Sequence, residues 1–335
     1  MAKKNSVATI ILCVAPVLIV LTIILSILHG AKQIDFNTVW NALFHFESGN
    51  VDHNIIRTSR LPRVIGALLV GAFLAISGAL MQGMTRNYLA SPSIMGVTDG
   101  AAFVITLCMV FDPGMSSFHM ILYSMIGSAL GAGIVFGFGS LIPNGLSPVR
   151  LAIIGTVIGT FLSSISAAIA SYFQISQNVS FWYNARLHQI NPNLLTIAIP
   201  CGLVGLLLAL YISKSITILA LGDEVSINLG QRTQLVKAVA ILSVVCLTGT
   251  AVALVGKIGF VGLIIPHMTR FLVGEDYRWI IPCTGVIGGA FLALCDVISR
   301  FVNYPFETPI GVVTSLIGIP FFLYLIRTRG GEKNA

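Results

Sequence analysis

LALGDEVSINLG, residues 219–230, is the core of a polar island (214–237) with apolar runs on both sides, 193–213 and 234–255. Each run is long enough to cross a hydrocarbon layer about 30 Å thick, so the island reads as a loop at one membrane face. Working outward, further apolar runs lie near 7–29, 61–82, 92–111, 117–140, 150–172, 279–300 and 309–326, and a shorter one at 258–273 makes a tenth. The sequence predicts an all-α polytopic membrane protein with about ten transmembrane helices.

Composition points the same way. With 56% hydrophobic residues, 9% charged ones and a mean hydropathy of +0.93, the chain has too little polar surface to cover a soluble globule. No segment is long and polar enough for a separate soluble domain, so residues 1–335 form one transmembrane domain. Lys3 and Lys4 precede an apolar run longer than a signal core and lacking a small-x-small cleavage site, which predicts an uncleaved first span. The net charge of +7 reads as topology rather than nucleic-acid binding. With the amino terminus inside, the Lys/Arg excess falls on the cytoplasmic side, both termini are cytoplasmic, and Arg327, Arg329 and Lys333 agree. The six cysteines lie in apolar runs without ligand spacing and are read as packing residues, with no metal site.

Gly127/Gly131, Gly133/Gly137, Gly155/Gly159 and Gly285/Gly289 are small-xxx-small pairs suited to close helix packing. GAFLA occurs at 71–75 and again at 289–293, in spans running in opposite directions, which leaves open either an inverted repeat or coincidence.

Within the island, Leu221, Val225 and Leu229 fall at i, i+4 and i+8, one face of a two-turn helix. Asp223 and Glu224 open it, where the helix dipole favours anions, and Gly230 sits at the C-cap position. The segment is either an amphipathic turn on the membrane surface or a docking handle. No GxxxxGK[ST] phosphate loop exists, so the chain is not an ATPase by that route and its energy comes from a partner or an ion gradient. A gradient-driven carrier needs deep ionisable groups, and the candidates are Asp99, Lys257 and Asp296.

Arg57, Arg60 and Arg63 lie at the outer mouth of the second span, with Pro62 marking its first turn. The positive-inside bias and the helix dipole both disfavour cations there, so an acidic external partner is expected. Arg300 lies on the same face at the end of the ninth span, seven residues before Glu307, where a cation is also favourable by itself. In the fifth span, Thr156, Thr160, Ser163, Ala167, Ser171 and Gln174 recur as one small, polar, uncharged face, suited to lining a passage or to holding helices together. Phe181, Trp182 and Tyr183 follow and are read as interface anchors.

Taken in order, RLPR (60–63), GALLVGAFLAISGALMQ, NYLASPSIMGVTDGA, LALGDEVSINLG, GKIGFVGLIIPHMTR and FETPIGVVTSLIGIPFFLYL resemble the FecCD-type permeases. These are membrane subunits of ATP-driven importers for iron-siderophores, haem and cobalamin, and the resemblance runs from about Arg57 to Tyr324. It implies a type II importer fold, a second permease that is an identical copy or a paralogue, two ATPase subunits using ATP and Mg, and an external substrate-binding protein. This chain itself would carry no cofactor. The resemblance makes residues 215–232 the coupling helices that enter the ATPase, with Leu221, Gly222, Asp223, Glu224, Val225, Leu229 and Gly230 as contacts. Arg60, Arg63 and Arg300 match arginines that dock the binding protein, and Thr156, Thr160, Ser163, Ser171 and Gln174 the pathway wall. Ser147 and Pro148 match a cytoplasmic gate, but Leu146-Ser147-Pro148-Val149-Arg150 lacks the family's paired hydroxyls there. A ferric-siderophore is the preferred cargo, with haem or cobalamin as alternatives. The rivals from other classes are an ion-gradient carrier using Asp99 or Asp296 and a structural or assembly membrane protein.

Overall fold

Among the described residues, seven helical segments are long and apolar enough to cross a membrane, and three shorter apolar helices, Val97–Phe111, Val261–Val273 and Ile310–Tyr324, complete the expected ten. The computed structural model describes residues 2–29, 34–142, 147–183, 187, 190, 192–304 and 306–330. Leu146 and Lys333, and the side chains of Lys3, Pro148 and Arg329, lie outside the described residues.

The helices are α1 (Ala2–Leu28), α2 (Phe36–Phe44), α3 (Val51–Ile55), α4 (Leu61–Thr85), α5 (Val97–Phe111), α6 (Ser117–Leu141) and α7 (Pro148–Tyr172). They continue as α8 (Ser176–Tyr183), α9 (Pro192–Leu219), α10 (Asp223–Asn228), α11 (Thr233–Val255), α12 (Val261–Val273), α13 (Tyr277–Ser299) and α14 (Ile310–Gly330). One π-helical turn, Ile56–Arg60, joins α3 to α4 without a break, so the second span starts ten residues before the apolar run that announced it.

α4 and α11 form the centre. Both are 78% buried along their apolar windows, against 22% for α1 and for α7, whose outward sides present apolar residues. α4 packs on α13, α11, α12 and α9. Close approach there depends on glycine: a Cβ on Gly78 would come within 1.8 Å of the Gly262 carbonyl oxygen, and one on Gly71 within 2.2 Å of that of Gly288. The two GAFLA runs lie against each other in opposite directions, with Leu68 at Gly289, Gly71 at Gly288 and Ile76 at Gly285. Gly127 and Gly131 press on Gly100 and Gly96, and Gly155 on Ile94, as the small-residue spacing predicted. Gly133 and Gly137 have open space instead, because they lie on the exposed side of α6.

α5 and α12 are shorter than the runs that predicted them. The 15 and 13 residues of these helices extend only about 20 Å at 1.5 Å per residue. Pro92 and Gly96 before α5, and Gly256 and Gly259 before α12, keep the first residues of each run out of the helix. The segment before α5 is nevertheless buried, with Ala90 and Met95 fully enclosed. Its polar groups are satisfied locally: the Ala90 N–H donates to Asn87 O at 3.0 Å and that of Met95 to Ser91 O at 3.1 Å. Non-helical backbone survives at membrane depth only when buried in protein or lining a cavity in this way.

Candidate functional site

At one end of the bundle the polar island forms a small protrusion. α10 has six residues, fewer than two turns, and Leu221 precedes it. Glycine is required at both ends, since Gly222 has φ +132° and Gly230 φ +78°. Leu221, Val225 and Leu229 are all exposed, at 66, 43 and 64%, and Ile227, which the i, i+4 spacing did not select, joins them at 58%. Beneath this apolar tip the segment is tied to both neighbouring spans. The Gln231 side chain donates to Ser215 O of α9 at 3.0 Å, and Lys237 of α11 pairs with Asp223 at 3.0 Å. Glu224 is exposed beside them.

At the opposite end of α4, the three arginines have partners within the chain. Arg63 donates from Nε and Nη2 to Asp296 at 2.8–3.1 Å and from Nη1 to Glu307 at 2.7 Å. Arg300 also pairs with Asp296 and donates to the Ser26 and His29 carbonyls at 2.7 Å. Arg60 donates to Ile27 O at the end of α1. All three are buried, and in this conformation their compensation comes from α13, the segment after it and the carboxyl end of α1 rather than from an external acid. Arg57 is the exposed cation of the group, stacked 4.6 Å from the Phe46 ring centroid.

Between these ends, α7 carries the polar stripe. Thr156, Gly159, Thr160, Ser163 and Ser164 line an open cavity of about 520 Å³ with Ser93 and Asp99. Thr156 and Thr160 donate their hydroxyls to their own helix, to Ala152 O and Thr156 O at 2.8 Å, so they do not glue helices together. Ser163 differs, donating to Asp99 Oδ1 at 3.1 Å. Asp99 in turn pairs with Lys257 at 2.7 Å, so the wall is not uncharged. Ser171 is exposed near the end of α7. Gln174 falls beyond the helix with φ +59°, because α7 stops at Tyr172 and the periodicity cannot see that end.

Of the residues read as interface anchors, Phe181 is exposed and Tyr183 departs from that reading. Its hydroxyl lies 3.0 Å from Thr106 Oγ1, and its ring lies 4.8 Å from the Lys257 ammonium, so it faces the helices rather than an interface. Ser147 is the residue before α7, its carbonyl accepting from Leu151 N–H at 2.9 Å, and Pro148 is the first helical residue. The adjoining cavity of about 560 Å³ is bordered largely by apolar side chains, Leu89, Val149, Ile153, Val157 and Phe322 among them.

Three comparisons place this geometry among known proteins. The chain is 61% identical over 325 residues to the iron-uptake system permease protein FeuB of Bacillus subtilis, covering 97% of each. It is 50% identical over 320 residues to the iron(3+)-hydroxamate import system permease protein FhuB of the same organism, covering 96% of this chain and 83% of FhuB. A solved inward-facing structure of a metal-chelate type ABC transporter superposes with a TM-score of 0.81 at 29% identity, covering 96% of this chain and 99% of that one. The model of the FecCD transport family matches residues 18–328, and the chain belongs to that family.

Proposed function

We propose that this chain is the permease subunit of an ATP-driven importer of ferric-siderophore complexes in the cell membrane, working by alternating access. The observation that supports it most is the end-to-end identity with permeases named for iron uptake and iron(3+)-hydroxamate import. Both termini are cytoplasmic in this reading. The α10 tip, with Leu221, Gly222, Asp223, Glu224, Val225, Leu229 and Gly230, enters a partner ATPase that uses ATP and Mg. Two ATPase subunits and a second permease, identical or paralogous, complete the membrane complex.

A substrate-loaded external protein docks at the opposite end. Arg57 is presented there already. Arg60, Arg63 and Arg300 engage acidic groups of that protein by exchanging Asp296, Glu307 and the α1 carbonyls for them. Thr156, Thr160, Ser163, Ser171 and Gln174 face the passage, and Ser147 with Pro148 narrows its cytoplasmic end beside apolar neighbours. The ATP-driven reading is favoured over an ion-gradient carrier using Asp99 or Asp296 by the likeness, at 29% identity and a TM-score of 0.81, to a metal-chelate type ABC transporter.

The test is reconstitution of the chain with its cognate ATPase and binding protein in liposomes, measuring uptake of radioactive iron as a panel of ferric chelates, with haem and cobalamin as controls. ATP-dependent uptake of a ferric chelate is the expected result. Uptake that requires an ion gradient and ignores ATP would sink the proposal.

A further inference from the structure

The charged cluster on the pathway wall joins three separate elements. Asp99 lies in the first turn of α5, Ser163 past the middle of α7, and Lys257 in the non-helical connection between α11 and α12. Fifteen residues separate Pro148 from Ser163, about 22 Å of helix, and nine separate Ser163 from Tyr172, about 14 Å. The cluster therefore lies along the apolar length of α7, on the Tyr172 side of its middle.

Two cavities meet at this cluster. Asp99 lines the cavity of about 520 Å³ along α7, and Lys257 lines another of about 390 Å³ with Tyr183, Ser315 and residues of α14. The two side chains are 19 and 26% exposed, so they face open space rather than sealed protein. An ion pair at this depth carries a desolvation cost that apolar residues of similar size would avoid. Packing alone gives no reason for it.

The partners are not equally fixed. Asp99 is seated where α7 has no side chain: a Cβ on Gly159 would come within 2.5 Å of Asp99 Oδ2. Its carboxylate also takes the Ser163 hydroxyl at 3.1 Å and lies at the positive end of the α5 dipole. Lys257 is held through its head group, at 2.7 Å from Asp99, 3.0 Å from Ser163 Oγ and 4.8 Å from the Tyr183 ring centroid. A four-carbon stem lets an ammonium swing, whereas a short carboxylate side chain fixed on three sides cannot follow.

We propose that Lys257 is a cargo-contacting residue that selects ferric complexes of net negative charge, such as those of catecholate or carboxylate chelators, as they pass along α7. The ammonium exchanges Asp99 for an anionic oxygen of the chelate, while the Ser163 hydroxyl and the seat at Gly159 hold Asp99 in place to take Lys257 back. This rests on the importer reading of the previous section.

The experiment uses the complete reconstituted complex and two probes, a trianionic ferric tris-catecholate and a neutral ferric trihydroxamate, each delivered by a binding protein that carries it. Replacing the pair with neutral near-isosteres, Asp99→Asn with Lys257→Met, is expected to slow tris-catecholate uptake about tenfold or more, the worth of one charge-assisted contact, and to leave trihydroxamate uptake within about twofold. Equal loss with both probes, or no loss with either, would overturn the assignment in favour of a structural pair. So would a wild-type complex that carries only the neutral probe, although the importer reading would then stand. Absence of ATP-dependent uptake of any ferric chelate by the wild type would remove the importer reading itself. Should the double variant fail to reach the membrane, the pair Asp99→Ser with Lys257→Gln removes both charges and keeps hydrogen-bonding groups at both positions. It must show the same selective loss, and unchanged tris-catecholate uptake would refute the proposal.

Discussion

Arg63 grips Asp296 through three N–H···O contacts of 2.8–3.1 Å across 233 residues of chain, and the aspartate is 1% exposed. Arg300 pairs with the same carboxylate, so one buried anion serves two buried cations. Removing one member of such a group leaves an uncompensated charge, which costs far more than the group contributes as a whole. Asp296→Ala should destabilise the protein by about 3–5 kcal/mol, read as a lower unfolding midpoint in detergent. A midpoint within a degree or two of the wild type would show that the cluster is hydrated.

Arg57→Glu separates docking from folding at the same end. Its side chain is exposed and makes one stacking contact, so the variant should reach the membrane normally. Affinity for the loaded binding protein should fall, and more steeply at low salt, as expected of exposed charges. Arg63→Glu, by contrast, should lower the amount of folded protein before docking is reached.

The α10 tip makes a cleaner case. Leu221→Asp and Leu229→Asp change residues that are about two-thirds exposed, so stability should move by no more than about 0.5 kcal/mol. Co-purification of the ATPase and ATP-dependent uptake should both be lost. Retention of the ATPase by the double variant would relocate the coupling surface.

Glycine substitutions test the packing at the centre. Gly78→Ala forces a methyl group against the Gly262 carbonyl, a predicted 1.8 Å contact with backbone that has nowhere to go. Its cost should reach or exceed the upper end of the ~1–3 kcal/mol usual for overpacking. Gly133→Ala meets nothing within 4 Å and should be neutral or stabilising by up to about 1 kcal/mol through helix propensity. Thermal midpoints of the two variants in one detergent decide the point.

The span count was legible because hydrocarbon imposes a length on every crossing. The island's exposed tip was legible too, from the i, i+4 spacing of Leu221, Val225 and Leu229 within polar surroundings. What escaped was of two kinds. Helix ends cut off periodic patterns without notice, so the polar periodicity runs on to Gln174 although α7 stops at Tyr172. Long-range pairing leaves no local trace: Lys257 and Asp99 are 158 residues apart, and nothing near either one names the other. The signal that existed was the unexplained depth of each charge, since a lone ion in hydrocarbon needs a partner. For Arg63 the same reasoning sought the partner outside, although Asp296 and Glu307 were available in the sequence.

The ties from Gln231 to Ser215 and from Asp223 to Lys237 give the protrusion no slack. A push on its tip would therefore be passed to α9 and α11 instead of being absorbed by a loop. α9 has 28 residues, about 42 Å of rod, so a tilt of roughly 5° about one end displaces the other by about 4 Å. A modest rotation at one membrane face thus becomes a displacement wider than a water molecule at the other.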